Sequence, residues 1–415
     1  MAFTIIPFAM SKIIRDSSPP IFIVGPPRSG TSLLSAIMGS HSRIACGPET
    51  DLFKCVPQED ASRIISGPKW VEQVTERLEC ILYPDGRSLI SHFGLTKESV
   101  RDYLSTQEPS PKAVYSAVPA AFAKAQGKAR WAEKTPRHIL YVETIRKLYP
   151  EAKIIRIVRD PRDSIPSVIK NIGLSTSLIG EFYRWMTVFT ISHSFFENDL
   201  NSITVRYEDL VQDPSQKVRE ICKFLGENFE SSMLDRSGAE HVRVASETWK
   251  NDIDKKINDD NVFGWKLNMD NKIARAASLI CCDALEILGY PNPEKPKQEI
   301  NVFPLGENFG VANEPHIIDC AQKGFRYTAS PIRYPANIAE ALKPHPDVLL
   351  GDLPLGKNTT LRFSLCFQAI WIIVRRYFLN KPVTVDPSIR LGVGTLSQVV
   401  GKIALIFGSR RTFTE

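Results

Sequence analysis

No stretch of this sequence reaches the roughly 18 apolar residues that a membrane-spanning helix needs, so the sequence predicts no integral membrane segment. The eight cysteines (Cys46, Cys55, Cys80, Cys222, Cys281, Cys282, Cys320, Cys366) form no C-x-x-C pair and no Cys/His spacing of a zinc site. A reducing compartment and no metal are the expectation. Positive charge is missing ahead of the short apolar stretch Ala2 to Met10; the first, Lys12, follows it, the wrong order for a secretory leader. A cytoplasmic location is expected on that basis. Net charge is also missing from residues 1–360, which are neutral in total. The whole excess of +6 sits in residues 361–415, where Arg362, Arg375, Arg376, Lys381, Arg390, Lys402, Arg410 and Arg411 face only Asp386 and Glu415. Interleaved aromatic and basic residues with a groove-reading motif are absent, which argues against a nucleic-acid partner.

What is present is the composition of a globular protein, with 43% hydrophobic and 24% charged residues in 415. Residues 21–25 (IFIVG) read as a buried strand, and Thr31 to Met38 carries apolar residues at helical spacing. The alternation recurs: 153–159 (KIIRIVR) and 202–207 (SITVRY) read as strands, 218–226 (VREICKFLG) as an amphipathic helix closed by glycine. Strands alternating with helices predict an α/β fold of three layers around a mostly parallel sheet. Between the first and second of these strands lies a helical stretch, about 61–126, with the breakers Pro68, Pro84, Pro109, Pro111 and Pro119, a natural place for a substrate pocket. After Tyr290 periodicity fades and prolines crowd. The expected organisation is an arm at 1–17, a domain at 18–295 and an extension of unknown fold at 296–415.

The segment GPPRSGTS (Gly25 to Ser32) spaces two glycines as in a phosphate-binding P-loop, where backbone N–H groups and a helix N-terminus cradle an anion. Thr31 stands where a kinase or ATPase has its lysine, which disfavours nucleoside triphosphate hydrolysis. Arg28, inside the loop, supplies positive charge instead.

Further motifs follow in order: WAEKTP (131–136), IVRDPRDSIPSV (157–168), VRYEDLVQDP (205–214), KFLG (223–226), and GWK (264–266) ahead of LGYP (288–291). Together with P-R-S-G-T-S, this ordered set resembles the sulfotransferases that use 3′-phosphoadenosine 5′-phosphosulfate (PAPS), over about residues 18–292. The arrangement is most similar to the branch of bacterial and tyrosylprotein sulfotransferases, because Glu49, within CGPET, follows Arg28 by 21 residues. The resemblance implies that a sulfuryl group moves to an acceptor hydroxyl by in-line attack. It implies Glu49 as general base, and Lys134 and Arg28 as the fixed charges at the bridging oxygen and 5′-phosphosulfate. Ser29, Gly30, Thr31 and Ser32 would add donors at the helix start, although Thr31 or Ser32 also reads as an ordinary helix cap. Arg159 and Ser167, eight residues apart, match the grip on the nucleotide 3′-phosphate, for which a planar guanidinium is suited. Arg159 pairing with Asp160 or Asp163 in a structural turn is the competing reading. Tyr207 matches the family tyrosine near the nucleotide, or is simply core.

The chain departs from the family at three places. Asn171 replaces a basic residue, with Lys170 beside it. Gly264 precedes Trp265 where tyrosylprotein sulfotransferases have lysine, leaving Lys266 or Lys250 as substitutes. Ala132 stands where secreted relatives have the cysteine that bridges to the equivalent of Cys46, which agrees with cytoplasmic residence. No metal is required on this reading, since Arg28, Lys134 and Arg159 supply the charge. The acceptor expected is a glycan, lipid or small-metabolite hydroxyl rather than protein tyrosine. The alternatives are a P-loop kinase or NTPase, and a catalytically silent nucleotide-binding scaffold. For the extension, the apolar segments 363–374 and 391–407 among arginines fit peripheral contact with an anionic membrane or the core of a small lid or dimerisation unit. The oligomeric state is not specified.

Overall fold

The computed structural model describes residues 18–83, 85–172, 178–235 and 262–293, with 257 and 259. Five parallel strands, β1 (Ile21–Val24), β2 (Ile44–Cys46), β3 (Arg130–Lys134), β4 (Lys153–Val158) and β5 (Ser202–Arg206), form one sheet in the order β2-β3-β1-β4-β5. Parallel strands need crossovers, and helices on both faces cover the sheet; β1 and β2 are buried throughout, whereas the edge strand β5 is only partly covered. Along β1 the side chains alternate between two cores. Phe22 and Val24 join Leu52, Phe53, Val114 and Ile154 on one face, while Ile21 and Ile23 join Leu34, Ile37, Ile155 and Ile157 on the other. A third cluster, with Ile165, Phe182, Phe189 and Ile280, packs helices Pro161–Ile172, Leu178–Asn198 and Asn271–Ile280 together.

The α/β class and parallel sheet are as expected, and the predicted strands at 21, 153 and 202 are present to within a residue. The predicted helix at 218–226 is longer, Pro214–Leu225, and closes on Gly226 at φ 73°. Two strands were not anticipated, so the strand at 153 is the fourth, not the second. β2 is only three residues long, and β3 reads RWAEK, whose charges hide a buried strand: Arg130, Glu133 and Lys134 are each at most 3% exposed. The stretch at 61–126 is helical, but Pro119 lies inside helix Pro111–Ala125 rather than ending it, and Pro166 likewise lies within Pro161–Ile172. None of the helices among the described residues is long and apolar enough to cross a membrane. The expectations for 1–17 and 296–415 lie outside the described residues, as does Lys250.

The connection leaving β1 runs toward β2 and that leaving β4 toward β5, so the strand order reverses between β1 and β4. Ligands of open parallel sheets bind beyond the carboxyl ends of the strands at such a reversal.

Candidate active site

The loop Gly25 to Gly30 leaves β1 at this reversal and enters helix Thr31–Gly39. Its backbone is tightly fitted. A Cβ on Gly25 would meet the Ile157 carbonyl oxygen of β4 at 2.2 Å, and one on Gly30 would meet the Tyr207 ring at 2.5 Å. Gly30, at φ 94°, is the N-cap, so neither Thr31 nor Ser32 caps this helix, and no side-chain cap bonds its opening N–H groups. Its opening N–H groups therefore lack the usual internal partner, and no acidic residue sits there to compete with an incoming anion. Ser29 is fully buried, and its hydroxyl has no hydrogen-bond partner among the described residues. Arg28 adopts φ 64°, a left-handed conformation that costs a non-glycine residue about 1–2 kcal/mol; its Nε donates to Ser167 Oγ at 3.1 Å.

Arg159 follows the last residue of β4 and lies over the Tyr207 ring at 4.6 Å, the same ring that packs on Gly30. Burial pushes the Tyr207 hydroxyl above its ordinary pKa, against the nearby charges of Arg159 and Arg28. The loop, Arg159, Ser167 and Tyr207 thus meet at one place. Of the two carboxylates in the competing reading, Asp163 feels the Arg159 charge, while Asp160 is engaged by the other arginine of the motif. Asp160 holds Arg162 at 2.7 Å, with both side chains fully buried, and Arg162 also reaches Ser278 Oγ and the Pro291 carbonyl and lies 3.9 Å over Trp265. Asp163 accepts the Trp265 backbone N–H at 2.7 Å. Burial lifts its carboxyl to about 6, with that hydrogen bond and the Arg159 charge opposing the rise.

Glu49 and Lys134 come from different strands of the other half of the sheet. Lys134 ends β3 in register with Ile23 of β1, and Gly25 N donates to the Pro136 carbonyl at 3.2 Å, which fixes the end of β3 to the loop. Lys134 is 0% exposed, and its Nζ meets Glu49 Oε1 at 2.6 Å. The Glu49 side chain is 30% exposed, so it borders solvent as well as a buried ammonium. Tyr83 donates its hydroxyl to the Glu49 carbonyl and stacks on His92 at 3.7 Å. Cys46 of β2 pairs in register with Ala132 of β3. It is a free thiol that burial pushes up to about 12.

Three residues around this pair went unnoticed in the sequence. Glu133 and His138 sit inside or beside the WAEKTP motif, but nothing in a single sequence separates a buried carboxylate from an exposed one. Tyr83 lies in a proline-bounded turn without periodicity. As for the substitutes for missing basic residues, Lys266 is exposed, with Nζ 5.0 Å from the Phe263 ring. The side chains of Lys170 and Asn171 lie outside the described residues.

Comparison with known proteins identifies the family. A family model described as "Sulfotransferase family" matches residues 19–231, just over half of the chain. A putative protein-tyrosine sulfotransferase of Caenorhabditis briggsae is 29% identical over 241 residues, covering 56% of this chain and 72% of the relative. Nodulation protein NoeE of Sinorhizobium fredii is 24% identical over 323 residues, 71% of this chain and 72% of the relative. Among solved structures, the sulfotransferase domain of the Synechococcus PCC 7002 olefin synthase matches with a TM-score of 0.46 and 19% identity, over 67% of this chain and 98% of that domain. Because the matched segment runs from before β1 to beyond Tyr207 and so contains the loop, the Glu49–Lys134 pair and Arg159, the chain belongs to the sulfotransferase family and is a sulfotransferase.

Proposed function

We propose that this sulfotransferase takes PAPS as donor and delivers the sulfuryl group to an acceptor hydroxyl by in-line attack, with Glu49 as general base. The observation that carries the reading is the 2.6 Å contact between buried Lys134 and partly exposed Glu49, fastened beside the loop by the Gly25 to Pro136 hydrogen bond.

The residues present fit such a donor. The uncapped helix start and the orphaned, buried Ser29 hydroxyl call for an anion or a hydrogen-bonding ligand at Gly25 to Ser32. Ser29, Gly30, Thr31 and Ser32 would hold the 5′-phosphosulfate with Arg28, while Arg159 and Ser167 would grip the 3′-phosphate beside Tyr207. When bound, the donor supplies an activated sulfuryl group and a bisphosphate leaving group. Lys134 and Arg28 place fixed positive charge where leaving-group charge grows, and charge held in a water-poor site stabilises more than the same charge in water. Glu49 faces solvent on its open side, where an acceptor hydroxyl can deliver its proton, a role worth about 10²–10⁴ in rate. A guanidinium can bond a 3′-phosphate bidentately, which would favour a 3′-phosphorylated nucleotide over one without that group. On this reading the charge comes from Arg28, Lys134 and Arg159, with no metal.

For the acceptor we favour a glycan, lipid or small-metabolite hydroxyl. Ala132 opposite Cys46 leaves no second cysteine for the disulfide of secreted relatives, which supports cytoplasmic residence away from secreted peptides. Tyrosine in protein is the second reading, and several relatives carry that activity in their names. The basic residues 361–415 would allow peripheral membrane contact that brings the enzyme to a lipid-borne acceptor.

Calorimetric titration of the full chain with 3′-phosphoadenosine 5′-phosphate (PAP), AMP, and ATP with magnesium tests the donor assignment. PAP is expected to bind, AMP far more weakly, and Arg159→Ala is expected to abolish PAP binding. ATP binding in preference to PAP would refute the assignment.

A further inference from the structure

Strand β3 ends in two adjacent charges that point to opposite faces of the sheet. Lys134 meets Glu49. Glu133, 3% exposed, points the other way into a cluster that is sealed from solvent: Thr50 and Thr135 are each 2% exposed and His138 is 0%. Glu133 Oε1 accepts from Thr135 Oγ1 at 2.6 Å, Thr50 Oγ1 at 2.8 Å and Thr50 N at 3.4 Å. His138 Nδ1 lies 2.8 Å from Oε2. Thr135 Oγ1 in turn accepts from the backbone N–H groups of Thr50 at 3.1 Å and Asp51 at 3.2 Å. Every one of these bonds ends on the two residues that follow Glu49 or on the groups that hold them.

Burial alone would raise the Glu133 carboxyl, but the His138 contact and the hydroxyl hydrogen bonds outweigh it and hold it below its ordinary value. An ionised Glu133 is an acceptor only, so His138 donates from Nδ1. A buried, ionised carboxylate is an expensive way to stabilise a fold, since apolar residues of similar volume often serve as well or better. The cluster is better explained by what it restrains. Asp51 adopts φ 49°, a left-handed turn that costs about 1–2 kcal/mol, and its N–H is tied to Thr135. Strain of this kind persists only where the surroundings over-determine it. On the other side, Tyr83 holds the Glu49 carbonyl.

We infer that Glu133 is a positioning residue for Glu49: the Glu133–Thr135–Thr50 cluster, braced by His138, fixes the backbone at Thr50 and Asp51 so that the Glu49 carboxylate stands against Lys134 and toward the acceptor. The inference rests on Glu49 being the base.

The test uses Glu133→Gln and Thr135→Val in the full chain. Crystal structures with PAP are expected to show the Lys134 to Glu49 contact opened beyond about 3.5 Å, with PAP affinity within about threefold of the unsubstituted chain. PAP release from PAPS, with water as acceptor, is expected to fall about tenfold or more in kcat with KM for PAPS unchanged, and by less than twofold when Glu133→Gln is added to Glu49→Gln. A contact still at its original length, or a loss that multiplies in full with that of Glu49→Gln, overturns the inference. Should Glu133→Gln fail to bind PAP because it does not fold, Thr135→Val carries the same expectations with the carboxylate intact. If Glu49→Gln alone keeps full turnover, the base assignment falls and takes this inference with it, a result distinct from the other two.

Discussion

Two arginines three residues apart in RDPRD have opposite fates. Arg162 is fully buried against Asp160 and braced by Ser278, Pro291 and Trp265, whereas Arg159 stands over Tyr207 at the loop. Arg162→Ala strands the buried Asp160 carboxylate and is expected to cost about 3–5 kcal/mol in denaturant unfolding. Arg159→Ala is expected to abolish PAP binding with little change in the unfolding midpoint. The sequence places both residues in a family motif, and only burial separates them. Asp163 offers a pH prediction. Burial holds its folded-state carboxyl at about 6 despite the Trp265 hydrogen bond and the Arg159 charge. The unfolded chain releases that proton at about 4, so this group costs stability as pH rises from about 4 to about 6, and costs nothing below both values. Asp163→Asn can still accept from Trp265 N and is expected to melt above the unsubstituted protein at pH 7 but not at pH 4. A variant that is less stable at pH 7 would mean that the lost Arg159 attraction outweighs the relief of burial.

At the scale of elements, the loop after β1 is the most demanding piece of the chain. Gly25→Ala would drive a Cβ into a backbone carbonyl of β4, which only a separation of strands can relieve, whereas Gly30→Ala meets the edge of the Tyr207 ring. Overpacking typically costs about 1–3 kcal/mol. Circular dichroism melts are expected to show Gly25→Ala as the more damaging, with Gly30→Ala partly rescued by Tyr207→Ala because a ring can give way and a carbonyl cannot. The strands β1, β4 and β5 were legible because their apolar runs are unbroken by the chemistry at their ends. β3 was not, since Glu133 and Lys134 occupy strand positions where apolar side chains would mark burial, and partners rather than hydrophobicity keep them inside. β2, at three residues, is too short to show a period. The loop, Glu49, Lys134 and Arg159 were legible as motifs, but the Glu133–His138 support was not, because hydrogen bonds across the sheet leave no periodic trace.

On the scale of the whole molecule, the central strands of the sheet are buried on both faces, and the candidate site residues gather at the carboxyl ends of β3, β1 and β4, with Glu49 in the segment following β2. The net charge of +6 lies elsewhere, in residues 361–415. If this segment contacts membranes, the full chain will co-sediment with vesicles rich in anionic lipid and not with neutral ones, and Arg375→Glu with Arg376→Glu will weaken that without altering PAP affinity. Co-sedimentation unaffected by lipid charge would reject the idea. The pairing of Cys46 with Ala132 bears on handling. Neighbouring strands run about 4.8 Å apart, inside the Cα separations of about 4.4–6.8 Å that a disulfide spans, and both side chains belong to the same core. A thiol held at about 12 is almost wholly protonated at neutral pH and sluggish toward alkylating reagents, so the natural protein should tolerate oxidant and iodoacetamide at this position. Ala132→Cys would turn the same spot into a removable staple between the strand leading to Glu49 and the strand carrying Lys134, letting an experimenter lock or release the two sides of that ion pair with a reductant.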